Sequence, residues 1–356
     1  MAVSQKDRNY VVYYDLLNVL ACFSVVVLHV NNTVHTFSYD RYWISAMFLE
    51  ATFYAAVPIF LMLSGATLMD YRDRYDTRTF LIRRLGRTVI PFLFWSFAAA
   101  VWRIVITHEH GLDWISSPAK LVDVVLNYRG MSIYWFFPGL FAAYLAIPVL
   151  SRIPKQDRLG RRGCFPYMIG VTFLLTAVLP LLCKLTGISW NSALTMPVAG
   201  GYVIFLLLGY LLSHTVFSTR ARIGIYLGGV FGWLLYFGGT ILLSYRDGSF
   251  NKMFKGYTGV AGVLMGVAVF ELFRTLEQKG RLHLSASAVR VLKTVSGASF
   301  GVYLIHIYWR DILVHFLHLD VTGYRWRFLG PIPVYLLAMG TVLLLKKIPG
   351  LRRMIP

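Results

Sequence analysis

Ten apolar runs follow one another along this chain, at 12–34, 46–69, 88–107, 133–150, 164–183, 197–213, 223–244, 257–273, 295–315 and 328–345. A hydrocarbon core of ~30 Å is crossed by about 20 mostly apolar residues in helical form. Backbone polar groups in lipid must be satisfied within the segment, which leaves helices or closed barrels. The ten-residue alternation of barrel strands is absent. The pattern therefore predicts an all-α polytopic membrane protein with about ten transmembrane helices. The first run begins soon after Lys6 and Arg8, and no small-residue cleavage site follows it. It reads as a retained helix rather than a removed signal. No repeat, low-complexity linker or soluble appendage interrupts the series, so one transmembrane domain over 1–356 is expected.

Composition agrees. Of 356 residues, 57% are hydrophobic and 14% charged, against roughly 25% charged in soluble chains. Cys22, Cys164 and Cys183 all lie in apolar runs, with no disulfide framework and no paired zinc spacing. The net charge of +19 changes the picture only through its distribution. With the N-terminus inside, 24 of the 35 basic residues and 8 of the 16 acidic residues fall on that side, a net +16 against +3 outside. The positive-inside rule then places both termini in the cytoplasm and explains the basic excess without nucleic acid.

Ionisable groups within a span cost about 3 kcal/mol on insertion scales and mark a functional site by default. His29 lies in the first run, Glu50 in the outer part of the second, Arg103 near the outer end of the third and His306 in the ninth. Asp15 and Asn18 stand at the inner start of the first. Helical rise puts His29 about 20 Å above Asp15, at a depth similar to Glu50, so that depth allows a His29–Glu50 contact that would orient the imidazole. Each could equally be a polar group satisfied by a neighbouring helix. Arg84 and Arg87 are three apart and share a helix face at the mouth of the third span. Two guanidiniums so placed make a fork for phosphate oxygens; positive-inside flanking or lipid headgroup contact is the plainer alternative. His108-Glu109-His110 reads as a solvated loop, since i and i+2 do not share a helix face. Ser64 and Gly65 suit close helix packing, and Tyr134 and Trp135 an interfacial aromatic belt.

These residues together resemble the acyltransferase-3 family of integral membrane O-acyltransferases. Tyr14-Asp15-Leu16-Leu17-Asn18 through Leu28-His29 is similar to its first-helix motif, which ends in an essential histidine. Pro58 to Gly65 resembles its Phe-x-x-Ser-Gly segment, and Arg84-Leu85-Gly86-Arg87 its Arg-x-x-Arg signature. Tyr134-Trp135-Phe136-Phe137 through Pro148 and Ser299-Phe300-Gly301-Val302-Tyr303-Leu304-Ile305-His306 resemble the fourth-helix and late boxes. Asn18 stands where members commonly carry arginine, and Ile133-Tyr134 where a histidine often precedes Trp-Phe. The chain resembles the stand-alone type, without a fused hydrolase-like domain.

The resemblance implies transfer of an acetyl group from acetyl-CoA to a hydroxyl of a surface polysaccharide or lipid-linked glycan, in the cell membrane of a bacterium. On that reading His29 is a general base or forms an acetyl-histidine, and Glu50 assists it. Arg84 and Arg87 hold coenzyme A, and His306 lines the donor tunnel or locks two helices. Membrane lipids are the other partners; no metal and no nucleic acid are expected. The alternative is a glycan or lipid exporter, although no pair of broken helices in matching halves is seen.

Overall fold

A computed structural model describes residues 10–160 and 162–356; Lys6, Arg8 and Arg161, which enter the charge balance, lie outside them. Each of the ten apolar runs contains helix, and no strand occurs among the described residues. Sixteen α-helices follow in order: α1 Val12–Val30, α2 Arg41–Phe53, α3 Ala56–Leu68, α4 Thr77–Val105, α5 Pro118–Leu126, α6 Phe136–Leu150, α7 Lys155–Arg158 and α8 Cys164–Phe173. They continue with α9 Leu179–Thr186, α10 Val203–His214, α11 Thr219–Leu234, α12 Thr240–Asp247, α13 Val260–Gln278, α14 Ala286–Phe316, α15 Tyr324–Leu329 and α16 Pro331–Leu345. Single π-turns at Leu174–Val178 and Leu235–Gly239 join α8 to α9 and α11 to α12.

Among the described residues seven stretches are long and apolar enough to cross a membrane: Val12–Val30, Arg41–Asp73, Thr77–Val105, Ser132–Leu150, Cys164–Thr186, Thr219–Asp247 and Ala286–Phe316. The chain is a multi-pass integral membrane protein. The other three runs fall short for physical reasons. Helices α10 and α16 have only 12 and 15 residues, and α13 carries Glu271, Arg274 and Glu277 along its 19.

Two helices reach well beyond their apolar runs because polar caps start them early. Asp76 accepts from the Thr79 N–H and starts α4 eleven residues before position 88. Ser285 accepts from the Ala288 N–H and starts α14 nine residues before position 295. The break between α2 and α3 has a local cause as well. Pro58 has no N–H to return to the Tyr54 carbonyl, so the helix is interrupted at Tyr54–Ala55.

The core is built where small residues let helices meet. A Cβ on Gly65 would stand 2.0 Å from the Leu206 carbonyl oxygen, and one on Gly209 1.9 Å from that of Met62. Helices α3 and α10 therefore touch backbone to backbone, as small-residue interfaces in lipid do. Helix α1 packs against both α3 and α14. Buried charge serves as glue elsewhere: Glu271 is fully buried and pairs with Arg222 at 3.2 Å and Arg274 at 3.1 Å. Glu277 accepts from the backbone N–H groups of Val12 and Tyr13, tying α13 to the start of α1.

Candidate active site

Helices α1 and α14 lie side by side and are pinned at two levels. At the lower level Asn18 Nδ2 donates to the Ser296 carbonyl and hydroxyl, both at 2.9 Å, and Ser296 donates to Asp15. Eleven residues up α1 is His29; ten residues up α14 is His306. Nearly equal steps along neighbouring helices of equal rise mean that the two run parallel and close to register. The imidazoles accordingly meet: His29 Nδ1 is 2.8 Å from His306 Nε2, with the ring planes 15° apart.

The tautomers follow from the partners. His306 Nδ1 faces two backbone carbonyl oxygens, Tyr303 at 2.8 Å and Val302 at 3.1 Å. Carbonyls only accept, so Nδ1 carries the proton, and in neutral His306 Nε2 is a lone-pair acceptor. His29 must then donate from Nδ1. Its Nε2 is left with a free lone pair, unpartnered among the described residues, on a side chain that lines an internal cavity.

That cavity has a volume of about 610 Å³, within the ~300–1,000 Å³ usual for small-molecule sites. Its lining on α1 runs from Tyr14 to His29, about 22 Å of helix. At one end stand Asp15, Asn18, Ser296, Arg84 and Arg87; at the other Glu50, His35, Lys255, Trp135 and Tyr257. Arg84 is half-buried and Arg87 exposed. Neither guanidinium has an acid partner among the described residues, and Arg84 Nε is buried without a hydrogen bond. Buried polar atoms left so are uncommon and suit an anion that arrives from outside.

The expected His29–Glu50 contact is not formed. The polar partners of Glu50 are Lys255 Nζ at 3.2 Å and the Tyr236 hydroxyl at 3.4 Å. His306 occupies the place expected for Glu50, and it does so from behind: it is fully buried and does not line the cavity. Of the two places expected for it, His306 stands where it links α1 to α14, not along the cavity lining. Tyr134 does not belong to an interfacial belt, being fully buried with its hydroxyl on the Leu304 carbonyl at 2.8 Å. Trp135 lines the cavity instead. Arg103 pairs with Glu109 and donates to the Gly130 carbonyl at 3.1 Å, away from the cavity.

Several residues of the site escaped the sequence reading. Arg310 donates to the His29 carbonyl at 3.3 Å and pairs with Asp311 at 2.6 Å, tying the end of α1 to α14. Its signal was its position, four residues after His306 and so on the same helix face. Lys255 and Tyr257 precede α13 and carried no signal short of the three-dimensional arrangement. Among the described residues no cluster of His, Cys, Asp and Glu could hold a metal ion.

Fold and cavity together define a multi-pass helical membrane protein with a base-competent histidine facing an internal chamber. The acyltransferase domain family model matches residues 11–346, and the chain belongs to that acyltransferase-3 family. Comparison with curated proteins and with solved structures found no match. Membership favours the acyltransferase over the exporter.

Proposed function

We propose that the protein is an O-acetyltransferase that moves the acetyl group of acetyl-CoA to a hydroxyl of a cell-surface polysaccharide or lipid-linked glycan. The observation that carries this reading is the His29–His306 pair, which leaves one imidazole lone pair on a side chain lining a chamber whose far end holds two guanidiniums with no acid partner among the described residues. A sugar hydroxyl is a weak nucleophile at neutral pH. His29 Nε2 takes its proton while the oxygen attacks the thioester carbonyl; the C–S bond then breaks, and the coenzyme A thiolate takes the proton back from His29. General-base help of this kind contributes about 10²–10⁴-fold.

Coenzyme A is a polyanion with a long, thin pantetheine arm. Arg84 and Arg87 grip its phosphates, and the arm runs along α1 toward His29. The charge asymmetry supports ten spans with both termini cytoplasmic, and so a donor that enters from the compartment where coenzyme A is found. The parallel course of α1 and α14 is what first and ninth spans of ten require. The membrane in this reading is the bacterial cell membrane.

The test exposes purified protein to radiolabelled acetyl-CoA with a panel of glycan acceptors. Label in an acceptor, or thioester hydrolysis, supports the enzyme. Neither, from folded protein, contradicts it.

A further inference from the structure

The end of the chamber beyond His29 has a chemistry of its own. Trp135 stacks on Tyr257 with centroids 5.6 Å apart and planes 11° apart. Tyr257 in turn stacks on Tyr54 at 4.5 Å and 14°. Three rings in a column hold each other's orientation, and Trp135 and Tyr257 face the cavity. Facing the same space is the Glu50–Lys255 pair at 3.2 Å, in which the Glu50 side chain is almost wholly buried and the Lys255 side chain 24% exposed. Partial burial, then the Lys255 ammonium, hold His35 below the usual histidine range, so it adds no full charge near neutral pH. One carboxylate and one ammonium cancel. Among the side chains lining it, this end therefore offers an aromatic wall, acceptor and donor groups within a few ångströms of each other, and no net charge.

A ring compound with an apolar C–H face and adjacent hydroxyls satisfies all three features at once. Its C–H face covers the indole, one hydroxyl donates to Glu50 and another accepts from Lys255. A charged sugar is disfavoured, because its carboxylate or phosphate would compete with Glu50 for Lys255 and stand beside an unscreened like charge. We propose that Trp135, Tyr257, Glu50 and Lys255 form the acceptor subsite, and that it selects an uncharged pyranose residue. This assignment rests on the acetyltransferase reading for its role, but not for the binding itself.

The test uses the full chain in lipid nanodiscs, away from sugar-headed detergents. Binding of the methyl glycosides of glucose, galactose and rhamnose, and of methyl glucuronide as the charged probe, is followed by saturation-transfer NMR without acetyl-CoA. At least one neutral glycoside should bind, and methyl glucuronide at least tenfold more weakly. Trp135→Ala and Glu50→Gln should each weaken the neutral glycoside tenfold or more, while Trp135→Phe, which keeps a ring face, stays within threefold. If Glu50→Gln fails to fold, Trp135→Ala against Trp135→Phe decides. No binding of any neutral glycoside, equal binding of the glucuronide, or wild-type binding by Trp135→Ala would overturn the subsite. Acetyl-CoA binding measured by calorimetry on the same samples separates the two claims. Its absence from wild type refutes the acetyltransferase reading, while the glycoside data still decide the subsite.

Discussion

His306 stands behind His29, its Nε2 2.8 Å from His29 Nδ1 and its own Nδ1 on the Tyr303 carbonyl at 2.8 Å. A backbone carbonyl thus sets the proton of one ring, and that ring sets the proton of the next. The base-competent nitrogen of His29 is fixed by a residue that does not line the cavity.

If His29 is the base we propose, His306 positions it, and variants of His306 should separate by geometry. Glutamine places its amide oxygen near where Nε2 stood and can still accept from His29; leucine cannot. His306→Leu should lower kcat by about 10²- to 10⁴-fold, as loss of an orienting partner does in triad enzymes, with little change in KM for acetyl-CoA. His306→Gln should recover at least a tenth of the wild-type kcat. Steady-state kinetics on matched amounts of folded protein checks this; equal losses in both variants would give His306 a packing role only.

The arginine pair can be tested without disturbing the charge that sets topology. Each charge-assisted hydrogen bond to phosphate is worth roughly 1.5–3 kcal/mol. Arg84→Ala and Arg87→Ala should then raise the acetyl-CoA dissociation constant by about ten- to a hundredfold each. Lysine keeps the charge but loses the fork, so Arg84→Lys and Arg87→Lys should also bind more weakly. Arg83 is the control: it lies over the Tyr75 ring at 5.0 Å and does not line the cavity. Arg83→Lys should bind acetyl-CoA normally. Calorimetric titration gives the answer, and wild-type affinity in both lysine variants would reduce the pair to topology.

Gly209 and Gly86 should respond to alanine in opposite ways. A Cβ at Gly209 would stand 1.9 Å from the backbone oxygen of Met62, so Gly209→Ala must force α3 and α10 apart. It should lower the unfolding midpoint sharply or abolish recovery of monodisperse protein. Gly86 lies inside the Arg-x-x-Arg segment, yet a Cβ there would meet nothing within 4 Å. Gly86→Ala should leave the midpoint unchanged or raise it, since alanine favours a helix by about 1 kcal/mol over glycine. Thermal unfolding in detergent compares the two.

The buried cluster on α13 supports a third stability prediction. Glu271 is fully buried between Arg222 and Arg274, and deleting one partner of a buried pair costs about 3–5 kcal/mol. Glu271→Ala should be strongly destabilised. Asp247→Ala, which breaks an exposed pair with Arg246, should be nearly neutral, as surface pairs contribute about 0–1 kcal/mol. Unfolding midpoints of the two variants measure the difference.

Much of the site was legible because lipid makes polar residues conspicuous. His29, His306, Glu50 and the Arg84–Arg87 pair stand out of apolar or helix-mouth sequence, and all but His306 line one cavity. Their partnerships were less legible. Helical rise sets His29 relative to Asp15 on its own helix, but the sequence offers no common reference between the first run and the ninth. The Asn18–Ser296 bond supplies that reference and brings the histidines level. Glu50 failed for a related reason: similar depth does not fix the direction a helix face points, and the rotation of α2 turns this carboxylate to Lys255. The helix ends were missed because Asp76 and Ser285 start α4 and α14 in polar sequence that no hydropathy window includes.

Whether His29 is the base in acetyl transfer from acetyl-CoA is decided by comparing wild type with His29→Ala. Wild type and His29→Ala are purified in parallel, their acetyl-CoA affinities measured by calorimetry, and their initial rates of labelled acetyl transfer to a glycan panel recorded. Removing a polar group from a span relieves a desolvation cost, so the variant should fold and insert normally. It should bind acetyl-CoA within a few-fold of wild type and transfer acetyl at least ~10²-fold more slowly. Transfer by His29→Ala at the wild-type rate, with both proteins folded and binding acetyl-CoA, would contradict the account.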